Sequence, residues 1–369
     1  MRYVLEAVEK MYFRDQESQM KLATGAGYWA AGPPSGAQET ILEAEALGFH
    51  SFWTAEAYGS DALTPLAWWG SRTENIQLGT GIVQMSARTP AATAMAAITM
   101  DHLTNGRFIL GLGVSGPQVV EGWYGQPYPK PLARTREYVH IIREICEREK
   151  PVSYVGDHYQ MPFPGGLELG KPLKSTVHPL RQHIPIYLGA EGPKNVALSA
   201  ELCDGWLPLF FAPKDNQFYA DALNDGFSKA GKTRIGSDGR IPEENDFEVV
   251  CPVSIVPDAD VERAADKVRP MLALYMGGMG AKGANFHYDV FCRMGYQDVA
   301  DQVQDCYLNG RKDEAAASIP LALVEEVALV GPIDKIADDL QRWKDTVVTT
   351  LQVSGPITLL RTIAEVVNQ

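Results

Sequence analysis

Cysteine is scarce and never closely paired in this sequence. The 369 residues include five cysteines, which are odd in number and widely spaced. None stands in a C-x-x-C pair, so the sequence offers neither a thiolate zinc site nor a redox-active dithiol. We therefore expect free, buried thiols in a reducing cytosol.

Long hydrophobic runs and an excess of positive charge are also absent. No segment reaches the roughly 20 apolar residues that a membrane-spanning helix needs. The first 19 residues lack the continuous apolar stretch of a secretory signal. Lysine and arginine total 33 against 46 acidic residues, a formal net charge of −13. This balance argues against nucleic acid and anionic membranes as partners, and the expected location is the cytoplasm.

Several catalytic signatures are missing. The seven histidines form neither H-x-x-x-H nor H-E-x-x-H, so we expect no metal site. Without a G-x-S-x-G elbow or a G-K-[ST] phosphate loop, serine hydrolysis and nucleoside triphosphate chemistry lose support. A G-x-G-x-x-G pattern spans residues 111–116, but its first glycine lies within a predicted strand and no early helix follows. It is weak evidence for a dinucleotide site.

Short apolar strands alternate with helices along most of the chain. This order predicts a parallel sheet, and eight strands favour a closed α/β barrel, a (β/α)8 TIM barrel with insertions, over an open sheet. We expect residues 1–19 to be an N-terminal extension and residues 20–369 to be a single domain. The predicted strands cover residues 21–27, 51–54, 76–81, 107–113, 184–188, 205–209, 247–255 and 347–353.

Three segments fall outside this alternation. Residues 152–161 are typical of a hairpin around a Gly-Asp turn. Residues 162–174 are rich in glycine and proline and predict a long loop of the kind that is usually functional or mobile. Residues 258–330 are predicted to be mostly helical and are longer than one crossover needs.

Glycines recur where the predicted strands end, at the face where barrel enzymes place their chemistry. A few such glycines would be ordinary turn formers. Their recurrence favours a large, flat ligand lying against the backbone, since side chains would block a ring system. The glycines concerned are Gly25, Gly27, Gly79, Gly81, Gly113, Gly116, Gly189 and Gly192.

One strand end has the form of an anion site. Residues 189–193 join a strand to a helix, with Pro193 in the first turn and Lys194 after it. The N–H groups of Lys194 and Asn195 would point toward the strand ends and, with the lysine charge, would suit a phosphate. An ordinary capped helix would show the same pattern, so the residues alone leave both interpretations open.

Two carboxylates and two aromatic residues stand near the expected site. Glu56 follows the second strand, where a general acid or base could act, although a solvated loop carboxylate would look the same. Glu121 is a weaker candidate of the same kind. Trp29 and Trp123 fall in loops that face the expected site and could form aromatic walls.

The run LGTGIVQMSARTPAATAMAAITMDHLTNGRFILGLGVSGPQVVEGWYGQPYPKPLARTREYVHIIRE, residues 78–144, resembles the luciferase-like flavin and deazaflavin oxidoreductases, specifically the branch that uses coenzyme F420. The phrases WTAEAYGSDALTPLAW, GPKNVALSAELCDGWLPLFF and VGPIDKIADDLQRW resemble the same group. The resemblance covers nearly the whole chain from Met20.

The resemblance implies where the coenzyme would lie. In this family a bulge on the third strand, with a non-prolyl cis peptide, backs the coenzyme ring, and the matching bond here is Gly81–Ile82. The family's phosphate site matches residues 189–194, and the loop at residues 114–118 would border the coenzyme. The expected coenzyme contacts are Trp29, Glu56, Thr80, Gly81, Ile82, Val114, Ser115, Gly116, Gln118, Gly189, Ala190, Glu191, Gly192, Pro193 and Lys194.

One position departs from the family pattern. Relatives often carry Asp beside His at the end of the second strand, whereas this chain has Glu56 followed by Ala57. The histidine that other members offer near the ring is therefore missing, which leaves the proton donor open. Glu56 is the first candidate for proton handling, with Tyr28 and Glu121 behind it.

The activity implied by the resemblance is hydride transfer between C5 of the deazaflavin F420 and a small organic substrate. The protein would align that carbon with the substrate and deliver or remove a proton. An FMN-dependent monooxygenase, supplied with reduced flavin by a partner reductase, is the alternative. A non-catalytic barrel that binds either coenzyme is a third reading. Family members commonly pair, so a homodimer is expected.

Overall fold

The computed structural model describes residues 20–367, and the expected N-terminal extension lies outside them. The described strands are β1 (Lys21–Gly25), β2 (Ser51–Thr54), β3 (Gln77–Thr80), β4 (Val83–Gln84), β5 (Phe108–Gly113), β6 (Tyr154–Val155), β7 (Gln160–Met161), β8 (Ile186–Gly189), β9 (Gly205–Leu207), β10 (Glu248–Pro257), β11 (Ala328–Gly331) and β12 (Thr350–Val353).

The helices between and around these strands form the outer layer. They are α1 (Ala37–Ala46), α2 (Leu63–Gly70), α3 (Pro90–Leu103), α4 (Pro117–Gly122), α5 (Pro131–Glu147), α6 (Pro193–Leu202), α7 (Asn216–Ala230), α8 (Val261–Asp266), α9 (Arg269–Gly277), α10 (Phe286–Arg293), α11 (Gln297–Leu308), α12 (Lys312–Ala317), α13 (Leu321–Val327), α14 (Ile333–Lys344) and α15 (Ile357–Val367).

Eight parallel strands close into the barrel expected from the sequence. Their order around the barrel is β1-β2-β3-β5-β8-β9-β10-β12, and β12 pairs again with β1. The two-residue strand β4 continues β3 and also pairs with β5. The (β/α)8 prediction is confirmed, and the carboxyl ends of the eight strands meet at one rim, which is where the site is sought.

The barrel interior is filled by side chains. Ala23, Trp53, Ile109, Tyr187 and Val250 form a buried cluster contributed by five of the strands. Such packing makes the barrel a solid core rather than a pore. Ligands must therefore bind above this cluster, among the loops at the rim.

Residues 258–330 form an insertion between β10 and β12, with one feature that the sequence analysis missed. Most of the segment is helical, as predicted, but Ala328–Gly331 is a strand that pairs in parallel with Ser254–Pro257. Strand β10 has ten residues, longer than any other barrel strand, so its second half projects beyond them and takes β11 as partner. A four-residue apolar run among helices carries too little periodicity to reveal such a strand.

The insertion has a hydrophobic core of its own. Apolar side chains from α8 to α13 pack with Phe210 and Ala212, which follow β9, into a buried cluster distinct from the main core. A segment with its own hydrophobic core can keep its conformation without packing against the barrel helices. It can therefore present side chains over the rim at fixed positions.

The predicted hairpin and the predicted free cysteines were also confirmed. Strands β6 and β7 pair as an antiparallel hairpin within residues 152–161. All five cysteines are free, and four are buried while Cys292 is half-buried. Within residues 20–367 no helix is both long and apolar enough to cross a membrane. The described part of the chain also holds no group of three or more His, Cys, Asp or Glu side chains arranged for a metal ion.

Candidate active site at the barrel rim

The third strand carries a bulge at the rim. Residues Gly79 and Val83 pair with Ile109 and Leu112, so β3 and β4 have one residue more than β5 over the same stretch. The Gly81–Ile82 peptide within the bulge is cis, as the resemblance implied. The Thr80 hydroxyl links the two strands beside the bulge. It accepts a hydrogen bond from the Gly111 N–H at 2.9 Å and donates one to the Gly111 carbonyl at 3.0 Å.

The glycines around this bulge make room for protein side chains rather than for a ligand. A Cβ atom on Gly113 would come within 2.7 Å of Ile82, and one on Gly189 within 3.2 Å. A Cβ on Gly79 would meet the Trp53 ring at 2.4 Å. At these three positions the packing of the protein itself accounts for glycine, so contact with a flat ligand there stays a prediction. Open space adjoins only some of the others, including Gly27 and Gly192.

The Glu56 carboxylate accepts four hydrogen bonds, one of them from the strand that follows the bulge. Its carboxylate accepts from both terminal nitrogens of Arg88, at 2.6 and 3.1 Å. It also accepts from the N–H groups of Gln84, at 2.8 Å, and Ala62, at 3.2 Å. The residue is buried, so the reading of a solvated loop carboxylate is wrong. Each carboxylate oxygen has two donors, and this arrangement suits an anchor for the bulge. Proton exchange by Glu56 stays a prediction.

The start of α6 has the features of an anion cradle. The helix begins at Pro193, and no side chain caps its first turn. Open space adjoins Gly192, and Lys194 is exposed beside it. The Asn195 N–H, expected to face the ligand, instead bonds the Gly192 carbonyl at 2.9 Å. The structure also adds Arg293 of α10, which donates to the Glu191 carbonyl at 2.8 Å.

A group of ionisable side chains lies beside this cradle. The Glu191 Oε1 and His287 Nδ1 atoms are 3.7 Å apart. The His287 ring meets Tyr275 edge-on, with ring centroids 4.9 Å apart, and Tyr28 lies against Tyr275. Burial raises the pKa of Glu191 to about 8 and lowers the pKa of His287 to about 4. The structure thus brings the expected Tyr28 and Glu191 together with two insertion residues.

The remaining predicted residues line the rim without forming one cluster. Trp29 is half-buried and packs on Trp69, with ring centroids 6.1 Å apart. Val114, Ser115 and Gly116 are half-buried after β5. Gln118 and Glu121 are exposed on α4, and the nearby Trp123 is exposed as well. A catalytic role for Glu121 therefore stays a prediction without a supporting contact.

A small cleft borders Val114. Met85, Tyr128 and Arg134 are among its walls. The Tyr128 hydroxyl donates to the Ser115 carbonyl at 3.0 Å, which fixes the loop after β5 beside the cleft. The sequence analysis identified this loop but not the walls that α5 and its preceding turn supply.

Four residues of the rim escaped the sequence analysis: Arg88, Tyr275, His287 and Arg293. Arg88 lies 32 positions from its partner Glu56, and the other three lie on insertion helices whose direction the sequence does not reveal. The available signal was the unusual length of residues 258–330, because a long insertion at a barrel rim often carries site residues.

Comparisons with known proteins agree with this architecture. A family model described as luciferase-like monooxygenase matches residues 13–350. A solved structure, the coenzyme F420-dependent tetrahydromethanopterin reductase from Methanopyrus kandleri, superposes with a TM-score of 0.76 at 21% identity. The match covers 94% of this chain and 98% of that one. At this identity the superposition supports the fold alone.

Two sequence relatives are similar over most of their length. A Mycobacterium tuberculosis protein, provisionally named a coenzyme F420-dependent oxidoreductase, is 52% identical over 92% of this chain and 96% of its own. The 5,10-methylenetetrahydromethanopterin reductase of Archaeoglobus fulgidus is 30% identical, over 85% of this chain and 87% of its own.

Proposed function

This chain belongs to the luciferase-like monooxygenase family, and we propose that it is a coenzyme F420-dependent oxidoreductase that transfers a hydride to or from a small organic substrate. The similarity to a protein named for F420 over 92% of the chain supports the choice of coenzyme. The alternative of an FMN-dependent monooxygenase uses the same barrel, so coenzyme binding must decide between them.

The observation that carries the proposal is the placement of the bulge and the cradle on one rim. The Gly81–Ile82 bulge ends the third barrel strand, and the cradle at the start of α6 ends the fifth. Helix N-termini favour anions, because their N–H groups and dipole point outward. A coenzyme with a ring system and a phosphate can therefore touch both features at once.

The residues present fit such a coenzyme. The uncapped first turn of α6, the open space at Gly192 and the cations of Lys194 and Arg293 suit the phosphate. When bound, the deazaflavin supplies a carbon that carries a hydride. The chain supplies position: Arg88 holds Glu56, and Glu56 holds the Gln84 N–H just after the bulge. This anchoring keeps the face that would back the ring in one place.

A titration with two coenzymes tests the proposal. Purified protein would be titrated with F420 and, separately, with FMN, while intrinsic tryptophan fluorescence is followed. Saturable quenching by F420 and none by FMN is expected. A preference for FMN would refute the proposal and move the protein to the monooxygenases. F420 binding with no hydride exchange at C5 would favour a non-catalytic barrel.

Charge variants show whether the cradle contributes. Lys194→Ala and Arg293→Ala should each weaken F420 binding about 5- to 20-fold, since each removes one cation beside a phosphate. Arg72→Ala is the matched control, because Arg72 is exposed in the turn before β3, at the opposite end of the barrel. Equal affinities for all three variants would remove the cradle from the coenzyme site.

A further inference from the structure

The insertion rises on the side of the barrel opposite the bulge. Four steps separate β3 from β10 in either direction around the eight strands, so the two strands face each other across the barrel. Helices α9 and α10 follow β10 in the chain. Because the bulge would back one face of the coenzyme ring, these helices face the other side, from which a substrate must approach.

Two contacts show that these helices reach across the rim. Tyr275 of α9 lies against Tyr28, which follows β1. Arg293 of α10 bonds the carbonyl of Glu191, which follows β8. The insertion therefore reaches strand ends on both sides of β10, and it forms a wall in which His287 packs against Tyr275.

His287 and Glu191 form the polar part of this wall. At 3.7 Å, their Nδ1 and Oε1 atoms are close neighbours but slightly too far apart for a direct hydrogen bond. The Nδ1 atom is buried and has no hydrogen-bond partner among the described residues. The two side chains are 20% and 17% exposed, so the pair is not sealed in the core.

The surroundings of the pair disfavour charge. Phe210 and Tyr275 meet the imidazole edge-on, with centroids 6.1 and 4.9 Å away. The ionisable groups that face the pair from packed elements are Arg293 on α10, Tyr219 on α7, Tyr275 on α9 and Cys251 on β10. Among these, only Arg293 is a cation. Burial keeps the pKa of Glu191 near 8 and that of His287 near 4, so the pair carries one proton and no net charge at neutral pH.

The other candidates for proton exchange are less available. Four donors occupy the two carboxylate oxygens of Glu56, and the next residue, Ala57, has no ionisable group. Glu121 is exposed on α4. The Glu191–His287 pair combines a held proton and an unpartnered nitrogen at the point where the insertion wall meets the end of β8.

We propose that Glu191 and His287 hold one proton between Oε1 and Nδ1 and exchange it with the oxygen atom of an uncharged carbonyl substrate. The proposal rests on the proposed function, which names a reduced deazaflavin as the hydride donor. As the hydride adds to the carbonyl carbon, the π electrons of the C=O bond move to oxygen, and the oxygen takes the proton from the pair. The products are an alcohol, the oxidised coenzyme and a pair that regains its proton from water.

The uncharged substrate follows from the same wall. A charged substrate group packed against the aromatic rings of Phe210 and Tyr275 would lose its hydration at a cost in free energy. The coenzyme phosphate would instead lie at the first turn of α6. A neutral ketone or enone loses little hydration on entering such a wall. Its oxygen would accept a hydrogen bond from the proton that the pair holds.

Infrared spectroscopy of the coenzyme-free protein tests the held proton. At pH 7 the wild type should show the carbonyl stretch of a protonated carboxyl group, and this band should fade as the pH rises through about 8. Glu191→Gln should remove the band, and His287→Asn should shift its midpoint. Glu365→Gln, on the exposed side of α15, should leave it unchanged. A band that survives in Glu191→Gln, or is missing in the wild type, overturns the proposal.

Kinetics test the exchange with substrate. Cyclohexanone and 2-cyclohexenone would be offered with reduced F420, and glucose 6-phosphate with the oxidised coenzyme as the charged comparison. The wild type should reduce the neutral compounds, with a rate that falls as the pH rises through about 8. Glu191→Gln should lower kcat about 100-fold or more with a small change in KM, and should abolish the pH dependence. Glu191→Asp should recover part of the rate.

The outcomes separate this proposal from the proposed function. Loss of F420 binding in the wild type would refute the proposed function, whatever the infrared result. If F420 binds and neither neutral compound reacts, the substrate assignment is wrong. If both react and Glu191→Gln retains the wild-type kcat and pH profile, the proton pair is wrong. If Glu191→Gln and His287→Asn lower only the affinity for F420 and leave kcat and the pH profile unchanged, the proton pair is also wrong.

Discussion

Removing the Arg88 guanidinium should loosen the bulge that backs the proposed coenzyme ring. Arg88 makes two bonds to Glu56, and Glu56 in turn bonds the Gln84 N–H two residues after Ile82. The Glu56 N–H also bonds the Ile82 carbonyl at 3.3 Å. In Arg88→Met the Glu56 carboxylate keeps its two backbone donors but loses the positive charge that neutralises it. The change should therefore destabilise the hydrogen bonds that hold the bulge.

The magnitude follows from the burial of the two partners. Breaking a fully buried ion pair by removing one member costs about 3–5 kcal/mol. The side chain of Glu56 is 4% exposed, whereas that of Arg88 is 22% exposed. Partial solvation and the two remaining N–H donors reduce the expected loss to about 2–3 kcal/mol of unfolding free energy.

Urea unfolding followed by tryptophan fluorescence measures this loss. The matched control is Arg136→Met, because Arg136 makes the same two-pronged contact with Glu201, at 2.6 and 2.8 Å, but is 47% exposed. We expect the control to lose less than about 1 kcal/mol. The double variant Glu56→Gln/Arg88→Met should be more stable than Arg88→Met, since no buried charge is left unpaired.

Coenzyme binding supplies a second readout for the same variants. Arg88→Met should weaken F420 binding because the backing face moves, whereas Arg136→Met should leave the affinity unchanged. Equal losses of stability in the two single variants would refute the reasoning, since burial would then not set the cost. An Arg88→Met protein with wild-type F420 affinity would show that the bulge does not depend on this anchor.

Two further changes probe the rim and the barrel. Gly113→Ala places a methyl group 2.7 Å from Ile82 and should lower the free energy of unfolding by about 1–3 kcal/mol. Gly192→Ala, which faces open space, should leave the free energy of unfolding unchanged and weaken F420 binding. A destabilised Gly192→Ala protein, or a Gly113→Ala protein of wild-type stability, would contradict the assigned roles. Bonds from His183, Arg143 and the Ile186 N–H outweigh burial and hold the pKa of Asp204 at about 2. Asp204→Asn should therefore cost about 2 kcal/mol at pH 7, and that cost should shrink as the pH falls from about 4 to about 2; a pH-independent cost would refute the linkage.

Local patterns were enough to predict the barrel, because its strands are short apolar runs between amphipathic helices. The bulge came from the resemblance, and the structure confirms its cis peptide at Gly81–Ile82. The meaning of the glycines could not be read in the same way. Whether Gly113 makes room for a ligand or for Ile82 depends on which side chain reaches it from the neighbouring strand. That depends on the register between the two strands, which the sequence of neither strand alone determines.

The pairing of distant charges was equally hidden. Glu56 was visible as a carboxylate at a strand end, but its four donors come from residues 62, 84 and 88, and only the folded loop brings them together. The seven histidines show no pair at metal-ligand spacing. Only the fold reveals that α10 places His287 at 3.7 Å from Glu191. Sequence spacing identifies groups that act on one element, whereas this pair is assembled from a barrel loop and an inserted helix.

The proposed coenzyme site and the proposed substrate wall lie mostly on different parts of the fold. The bulge and the start of α6 belong to barrel strands, which cannot shift without disturbing the main core. The wall that carries Tyr275 and His287 belongs to an insertion with its own hydrophobic core, so its residues can change while the barrel stays intact. If the proposed function holds, substitutions at Tyr275 and Phe210 should alter which carbonyl compounds react and leave F420 affinity unchanged. Apart from Arg293, the coenzyme contacts would then come from the barrel, whereas the substrate wall would come from the insertion together with Phe210.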